Sequence, residues 1–146
     1  MSLDEIDRRI LSVLATDGRI SINELASRVN VSRATAYARF DKLQASGAIK
    51  GFQAIVDPGA LGYAMAALIL LNVEQQHWRD LPKRLLALPG VEYVAFTSGP
   101  FDMVLVVRAP DVASLRDVVL VKLHGMPEVK SSETIFILDE ARQPLS

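Results

Sequence analysis

Residues Ser21 to Leu43 read SINELASRVN VSRATAYARF DKL, and this stretch decides the architecture of the first half of the chain. Ser21 and Glu24 stand at the spacing of a capping box, in which each side chain satisfies a backbone N–H of the first helical turn. Ile22, Leu25, Ala26 and Val29 then recur on one face, giving a helix of about two turns. Asn30 tolerates the left-handed conformation that ends a helix, and Ser32 is a strong N-cap for the next, which runs to Ala45 or Ser46 before Gly47. Ala36, Phe40 and Leu43 form its inward stripe. Two helices joined by about three residues, the second capped by Ser and loaded with Arg, have the layout of a helix-turn-helix.

The charge of the second helix points to its partner. From Arg28 to Lys50 the basic residues Arg28, Arg33, Arg39, Lys42 and Lys50 face one acid, Asp41, in a chain whose formal net charge is −1. A basic surface confined to this stretch is a local footprint for phosphate. Arg33, Ala34, Tyr37, Ala38 and Asp41 turn outward. The alanines let the helix enter a major groove of double-stranded DNA, and Arg33 and Tyr37 reach base edges. Ser32, Thr35, Arg39, Lys42 and Lys50 suit phosphates, although Arg39, beside the apolar stripe, equally suits an acid on a neighbouring helix. Upstream, Leu3, Ile6, Ile10, Val13 and Leu14 share a face of a first helix that Ser2 and Glu5 cap and Asp17-Gly18 ends.

Downstream, Ile49 to Val56 is written in strand formers and reads as a hinge strand before Asp57-Pro58-Gly59 breaks the chain. The helix-turn-helix domain with its hinge is therefore assigned to residues 1–57, and a second domain to 61–146. Ala64 to Val73 reads as a buried strand, followed by a helix from Trp78 to Leu88 with Trp78, Leu81, Leu85 and Leu88 inward. Pro82 fits only in its first turn. Val91 to Thr97 alternates Val91, Tyr93 and Ala95 against Glu92, Val94 and Phe96, then turns at Ser98-Gly99-Pro100 into a hairpin with Phe101 to Arg108. Asp111 caps a helix carrying Val112, Leu115, Val119 and Leu123, and Val129 to Leu138 is a last strand. The fold class is α+β, an N-terminal helix-turn-helix followed by a ferredoxin-like βαββαβ domain. Apolar residues stand on both strand faces, for instance Val104 and Val106 opposite Met103, Leu105 and Val107, so self-association is expected.

Composition excludes several function classes. The chain is 50% hydrophobic and 23% charged over 146 residues, too apolar for intrinsic disorder. It has no Cys, so disulfides, thiol nucleophiles and Cys-ligated zinc are out. The longest apolar run, Ala64 to Leu71, falls short of the roughly 18 residues of a membrane span, and the start carries no signal-peptide apolar region. A cytoplasmic protein, nucleoid-associated when bound to DNA, is expected, with no membrane partner. His77 and His124 lack neighbouring ligands, so no metal is expected. No phosphate-binding glycine loop, serine elbow or paired-carboxylate cleft is visible, and the chain is read as a non-enzyme without a cofactor. The Ser98-Gly99-Pro100-Phe101-Asp102 loop is different. Gly99 permits a close backbone approach or a positive φ, Asp102 offers a carboxylate to an α-ammonium group, and loop N–H groups suit a carboxylate. Thr97, Ser98 and Thr134 add hydroxyls. The same residues also satisfy an ordinary tight hairpin with an exposed Asp.

Several strings in order carry a resemblance: Leu3-Asp4-Glu5-Ile6-Asp7-Arg8-Arg9-Ile10-Leu11, Asp17-Gly18-Arg19-Ile20-Ser21, Glu24-Leu25-Ala26-Ser27-Arg28-Val29, Val31-Ser32 and Gly47-Ala48-Ile49-Lys50-Gly51-Phe52. Together with Ser98-Gly99-Pro100-Phe101-Asp102 they resemble the Lrp/AsnC family of feast/famine transcription regulators, over nearly the whole chain. The resemblance implies a DNA-reading domain, a hinge strand and an effector-binding, oligomerising domain. It also implies homodimers that assemble further, often to octamers, and a small effector, commonly an amino acid, held between dimers. The chain departs from the family pattern at Ala36, Asp41 and Gln44, so no DNA site sequence is carried over from better-known members, and Phe101 lacks the hydroxyl of the family's usual Tyr. A second reading keeps DNA binding and oligomerisation but no effector response, an orphan architectural protein.

Overall fold

The computed structural model describes residues 2–74 and 78–145. The chain divides into two compact units, Met1–Ile55 with Ala141–Ser146, and Val56–Glu140.

The first unit holds α1 (Glu5–Thr16), α2 (Ile22–Val29) and α3 (Arg33–Ala45). Ile10, Leu14, Leu25, Val29 and Leu43 are buried together, with Ile6, Phe40 and Ile49 packed against them. The caps of α2 and α3 form as the sequence indicates. Ser21 Oγ accepts the Glu24 N–H at 3.1 Å and Ser32 Oγ accepts the Thr35 N–H at 3.1 Å. Asn30, with φ 58°, makes the turn between them. The cap of α1 is a correction. Asp4 and Asp7, not Ser2 and Glu5, form the capping box, Asp4 Oδ1 accepting the Asp7 N–H at 2.9 Å and Asp7 Oδ2 the Asp4 N–H at 3.2 Å. This pair prevails because Arg39 of α3 meets both carboxylates. The expected hinge strand is also corrected: residues 50–57 form no ladder within the chain. A strand needs a neighbour for its backbone groups. Here Phe52 stacks on Phe40 at 6.2 Å, while Ile55 is 94% exposed.

The second unit opens with a single 3-10 turn, Pro58–Leu61, and continues through β1 (Met65–Val73), α4 (Leu81–Leu86), β2 (Val91–Phe96) and β3 (Met103–Ala109). It ends with α5 (Val112–Asp117), a π-helical extension (Val118–Leu123) and β4 (Val129–Ile137). The antiparallel sheet has the order β2-β3-β1-β4, that of the split βαβ motif. Ala67, Ile69 and Leu71 of β1 and Met103, Leu105 and Val107 of β3 are buried in one core with Leu81, Leu85, Leu115 and Leu123. On the other sheet face Leu68, Leu70, Val104 and Val106 are half-buried, and Tyr93 and Ile135 are exposed.

Three local readings differ. α4 starts at Leu81 rather than Trp78, and Trp78 is half exposed instead of inward. Pro82 does occupy the first turn, where its missing N–H has no partner to lose. In β2 the register shifts between Val91 and Tyr93, so strict alternation fails at Glu92. A bulge puts Val91 and Val94 against the core together, leaving Tyr93 on the opposite face. The last helix changes from α to π geometry, whose wider turn carries Val118, Val119 and Leu123 onto the sheet together.

Candidate functional site

Each unit carries one arrangement with chemical potential. In the first, Ser32, Arg33, Ala34 and Ala38 of the α3 surface are exposed, and Tyr37 is 51% exposed despite its ring. Arg33, Lys42 and Lys50 have no ion-pair partner among the described residues. Ser32 and Thr35 are tied to each other, the Ser32 hydroxyl donating to Thr35 Oγ1 at 2.9 Å, which leaves the Thr35 hydroxyl hydrogen available. The outcome is a small-residue helix face flanked by free cations, the relief an α-helix needs to lie in a DNA groove.

Arg39 is set apart from that surface. Its guanidinium pairs with Asp4, and with Asp7 at 3.2 Å. Asp7 is the buried charged residue among those described, and an unpaired buried carboxylate is strongly unfavourable. The Asp7 N–H, and then the Arg39 guanidinium, hold the Asp4 carboxyl below its ordinary value, while Asp4 and Asp7 raise the Arg39 guanidinium. Of the two roles the sequence allowed for Arg39, the structure places it in the ion pair.

In the second unit the hairpin between β2 and β3 builds a cavity of about 290 Å³ lined by Val73, Trp78, Phe96, Thr97 and Asp102. Gly99 has φ +103° and a Cβ there would meet nothing within 4 Å, so this glycine serves the turn and not a close approach. Asp102 is built into the sheet. Its N–H donates to Leu71 O at 2.9 Å, and its Oδ2 accepts the Val73 N–H at 2.9 Å, leaving Oδ1 unengaged among the described residues. The Thr97 N–H donates to Asp102 O at 2.9 Å, and the Thr97 hydroxyl donates to Phe101 O at 2.7 Å. Ser98, Gly99 and Pro100 are exposed at the tip, and Phe101 is half-buried.

The structure does not bring Thr134 to this cavity. Thr134 pairs with Ile69 on β4, at the sheet edge opposite β2, and lines an apolar cleft with Val112, Leu115, Leu120 and Phe136. Val73, Trp78 and Phe96 were not among the residues picked from sequence. Trp78 read as core, and its T-shaped contact with Phe96, at 5.6 Å between ring centroids, crosses a helix-to-strand connection that carries no local signal. No group of potential metal ligands occurs among the described residues, and His77 lies outside them. His124 Nε2 sits 2.7 Å from Ser132 Oγ. No helix is long and apolar enough to cross a membrane, among the described residues.

Comparison with known proteins agrees with both units. The AsnC-type helix-turn-helix domain profile matches residues 3–44, and the Lrp/AsnC ligand binding domain profile matches residues 66–144. The HTH-type transcriptional regulator FL11 of Pyrococcus horikoshii is 35% identical over 136 residues, covering 93% of this chain and 89% of the relative. The structure of AsnC from E. coli superposes with a TM-score of 0.83 at 27% identity, covering 100% of this chain and 99% of that one. A Neisseria meningitidis transcriptional regulator in complex with L-Met shares the fold with a TM-score of 0.90 at 24% identity, over 98% of this chain and 94% of that one. With both profiles in order along one chain and relatives of this likeness, the chain belongs to the Lrp/AsnC family of transcriptional regulators.

Proposed function

We propose that this regulator reads a specific DNA sequence with α3 and that an amino acid bound at the β2–β3 hairpin alters its grip on that DNA. The observation that carries the proposal is Asp102, whose carboxylate is fixed at Oδ2 by the Val73 N–H and open at Oδ1 toward a cavity sized for a small metabolite. A carboxylate so held is a preformed receptor for an α-ammonium group, while the Ser98, Gly99 and Phe101 N–H groups, unengaged among the described residues, serve an α-carboxylate. The L-Met complex of the Neisseria regulator is an amino acid held by a protein of this fold. On the DNA side, Arg33 and Tyr37 read bases, and Thr35, Lys42 and Lys50 hold phosphates. The half-buried apolar sheet face joins two copies, and such a dimer assembles further. Two recognition helices in a symmetric dimer then address half-sites about 34–36 Å apart, or a multiple of that spacing. The ligand acts by preferring one assembly geometry, and its effect is limited to that difference in affinity.

A thermal-shift panel of the twenty amino acids tests the ligand half. A ligand that binds only folded protein raises the midpoint by mass action, and a shift with one or a few amino acids is the expected result. No shift with any of them leaves the orphan architectural reading, in which the second unit only assembles copies on DNA.

A further inference from the structure

One aromatic ring outside the three helices joins two parts of the first unit. Phe52 stacks on Phe40 of α3, with ring centroids 6.2 Å apart. It also lies against Gly18 in the turn between α1 and α2, where a Cβ would come within 3.2 Å of the Phe52 Cδ1. The bare backbone at Gly18 is what admits the ring so closely. Phe40 stands three residues from Tyr37, a step that makes the two neighbours on the helix surface, and Tyr37 is exposed. The Phe52 contact therefore borders the outward face of α3 and is not hidden behind it.

Each segment that Phe52 joins carries a cation. Arg19 follows Gly18 directly and Lys50 precedes Phe52 by two residues, so with consecutive Cα atoms about 3.8 Å apart both stand near the contact. Both are exposed, and neither has an ion-pair partner among the described residues. The acids around them are engaged or point elsewhere. Asp17 Oδ1 accepts the Arg19 N–H at 3.1 Å, which fixes the turn without pairing the guanidinium, and Glu24 is paired with Arg28. Asp41 follows Phe40 and so projects about 100° round the helix from it. A helix seated in a DNA groove has the phosphate backbones as its walls, one charge per roughly 1.7 Å of duplex, and cations bordering its outward face meet them.

We propose that Arg19 and Lys50 form a phosphate clamp on the backbone beside the groove, with Phe52 as the residue that positions them. The clamp rests on the reading of DNA by α3 proposed above. Lys50 suits a phosphate by sequence alone, whereas Arg19, in the turn before α2, becomes its companion only through the Phe52 contact.

The experiment measures fluorescence anisotropy of the full-length protein on a selected duplex and on random duplexes, between about 50 and 200 mM salt. Wild type is compared with Arg19→Ala, Arg19→Lys, Phe52→Ala, Arg33→Ala and the double variant Arg19→Ala/Lys50→Ala, with circular dichroism to establish folding. Arg19→Ala is expected to weaken both classes of duplex alike and to lower the slope of log affinity against log salt by about 1. The wild-type advantage over it then grows about 3.5-fold from 200 to 50 mM salt. Arg19→Lys should keep the wild-type slope, and the double variant should lower it by about 2. Phe52→Ala should lower the slope as well while keeping the preference for the selected duplex. An unchanged slope in a folded Arg19→Ala overturns the clamp, and if Arg33→Ala still relaxes selection the reading by α3 stands without it. A slope that falls for Arg19→Ala but not for a folded Phe52→Ala overturns the positioning role of Phe52. If no duplex is preferred, or Arg33→Ala leaves the preference intact, the α3 reading falls and the clamp with it.

Discussion

Arg33 and Arg39 lie on the same helix with different neighbours: Arg33 is exposed without an ion-pair partner among the described residues, and Arg39 is locked onto Asp4 and Asp7. Arg33→Ala should relax sequence selection, whereas Lys50→Ala should weaken all duplexes alike and lower the slope of log affinity against log salt by about 1. Titrating selected and random duplexes at several salt concentrations separates the two. Arg39→Ala, by contrast, should lower the melting midpoint, because it strands the buried Asp7, while Lys42→Ala leaves the midpoint nearly unchanged. Asp102 likewise has a structural side. Asp102→Ala removes the acceptor of the Val73 N–H and should cost about 1–3 kcal/mol in denaturant unfolding, with Asp102→Asn losing less because its amide oxygen still accepts. The sequence brought Arg39 to the right helix but left its partner open, since a phosphate and a carboxylate call for the same residue. Asp102 was legible as a loop carboxylate; its bond to Val73 was not, because it joins residues far apart in the chain.

At the scale of elements, the helix starts were readable because a cap is local chemistry: Ser21, Ser32 and Asp111 each accept the N–H three residues on. Two features were not readable for the same reason in reverse. The α1 box is selected by Arg39, a contact from another helix, and the β2 bulge is fixed by pairing with β3. Thr134 was assigned to the loop as a hydroxyl from the last strand; the strand order, which sets β4 and β2 at opposite edges, separates them. The Asp4 cap has a pH signature. Its carboxyl is held below the ordinary 3.8 by the Asp7 N–H and Arg39, so its stabilisation is present above that value and lost as pH falls through the lowered one. Asp4→Asn should flatten this acid limb in melts recorded between neutral pH and about pH 2. The turn after α4 depends on Gly90, with φ +77° and only 1.9 Å between a built Cβ and the Arg108 carbonyl oxygen. Gly90→Ala should destabilise by at least the 1–3 kcal/mol typical of a strained φ, read by chemical denaturation.

At the scale of the molecule, helix-covered and open sheet faces differ in what they still need. The covered face has its core, while Leu68, Leu70, Val104 and Val106 on the other remain half-buried beside exposed Tyr93 and Ile135. The self-association proposed above would bury this face against its own copy, since a two-fold axis makes one patch complementary to itself. Val106→Lys should therefore shift the protein to smaller species in light scattering without loss of far-ultraviolet dichroism; an unchanged mass would place the interface elsewhere. That the chain divides near its first third was legible from the sequence, because periodicity and breakers report elements directly, whereas the number of copies is not written in the pattern of one chain. The most direct test of ligand-controlled DNA binding is fluorescence anisotropy of the full-length protein on a duplex it selects, with and without a saturating amino acid that alters Trp78 emission. A ligand-responsive regulator shows an apparent affinity changed by about 5- to 150-fold, the usual range of coupling between two sites. Superimposable curves, with the amino acid demonstrably bound, contradict it.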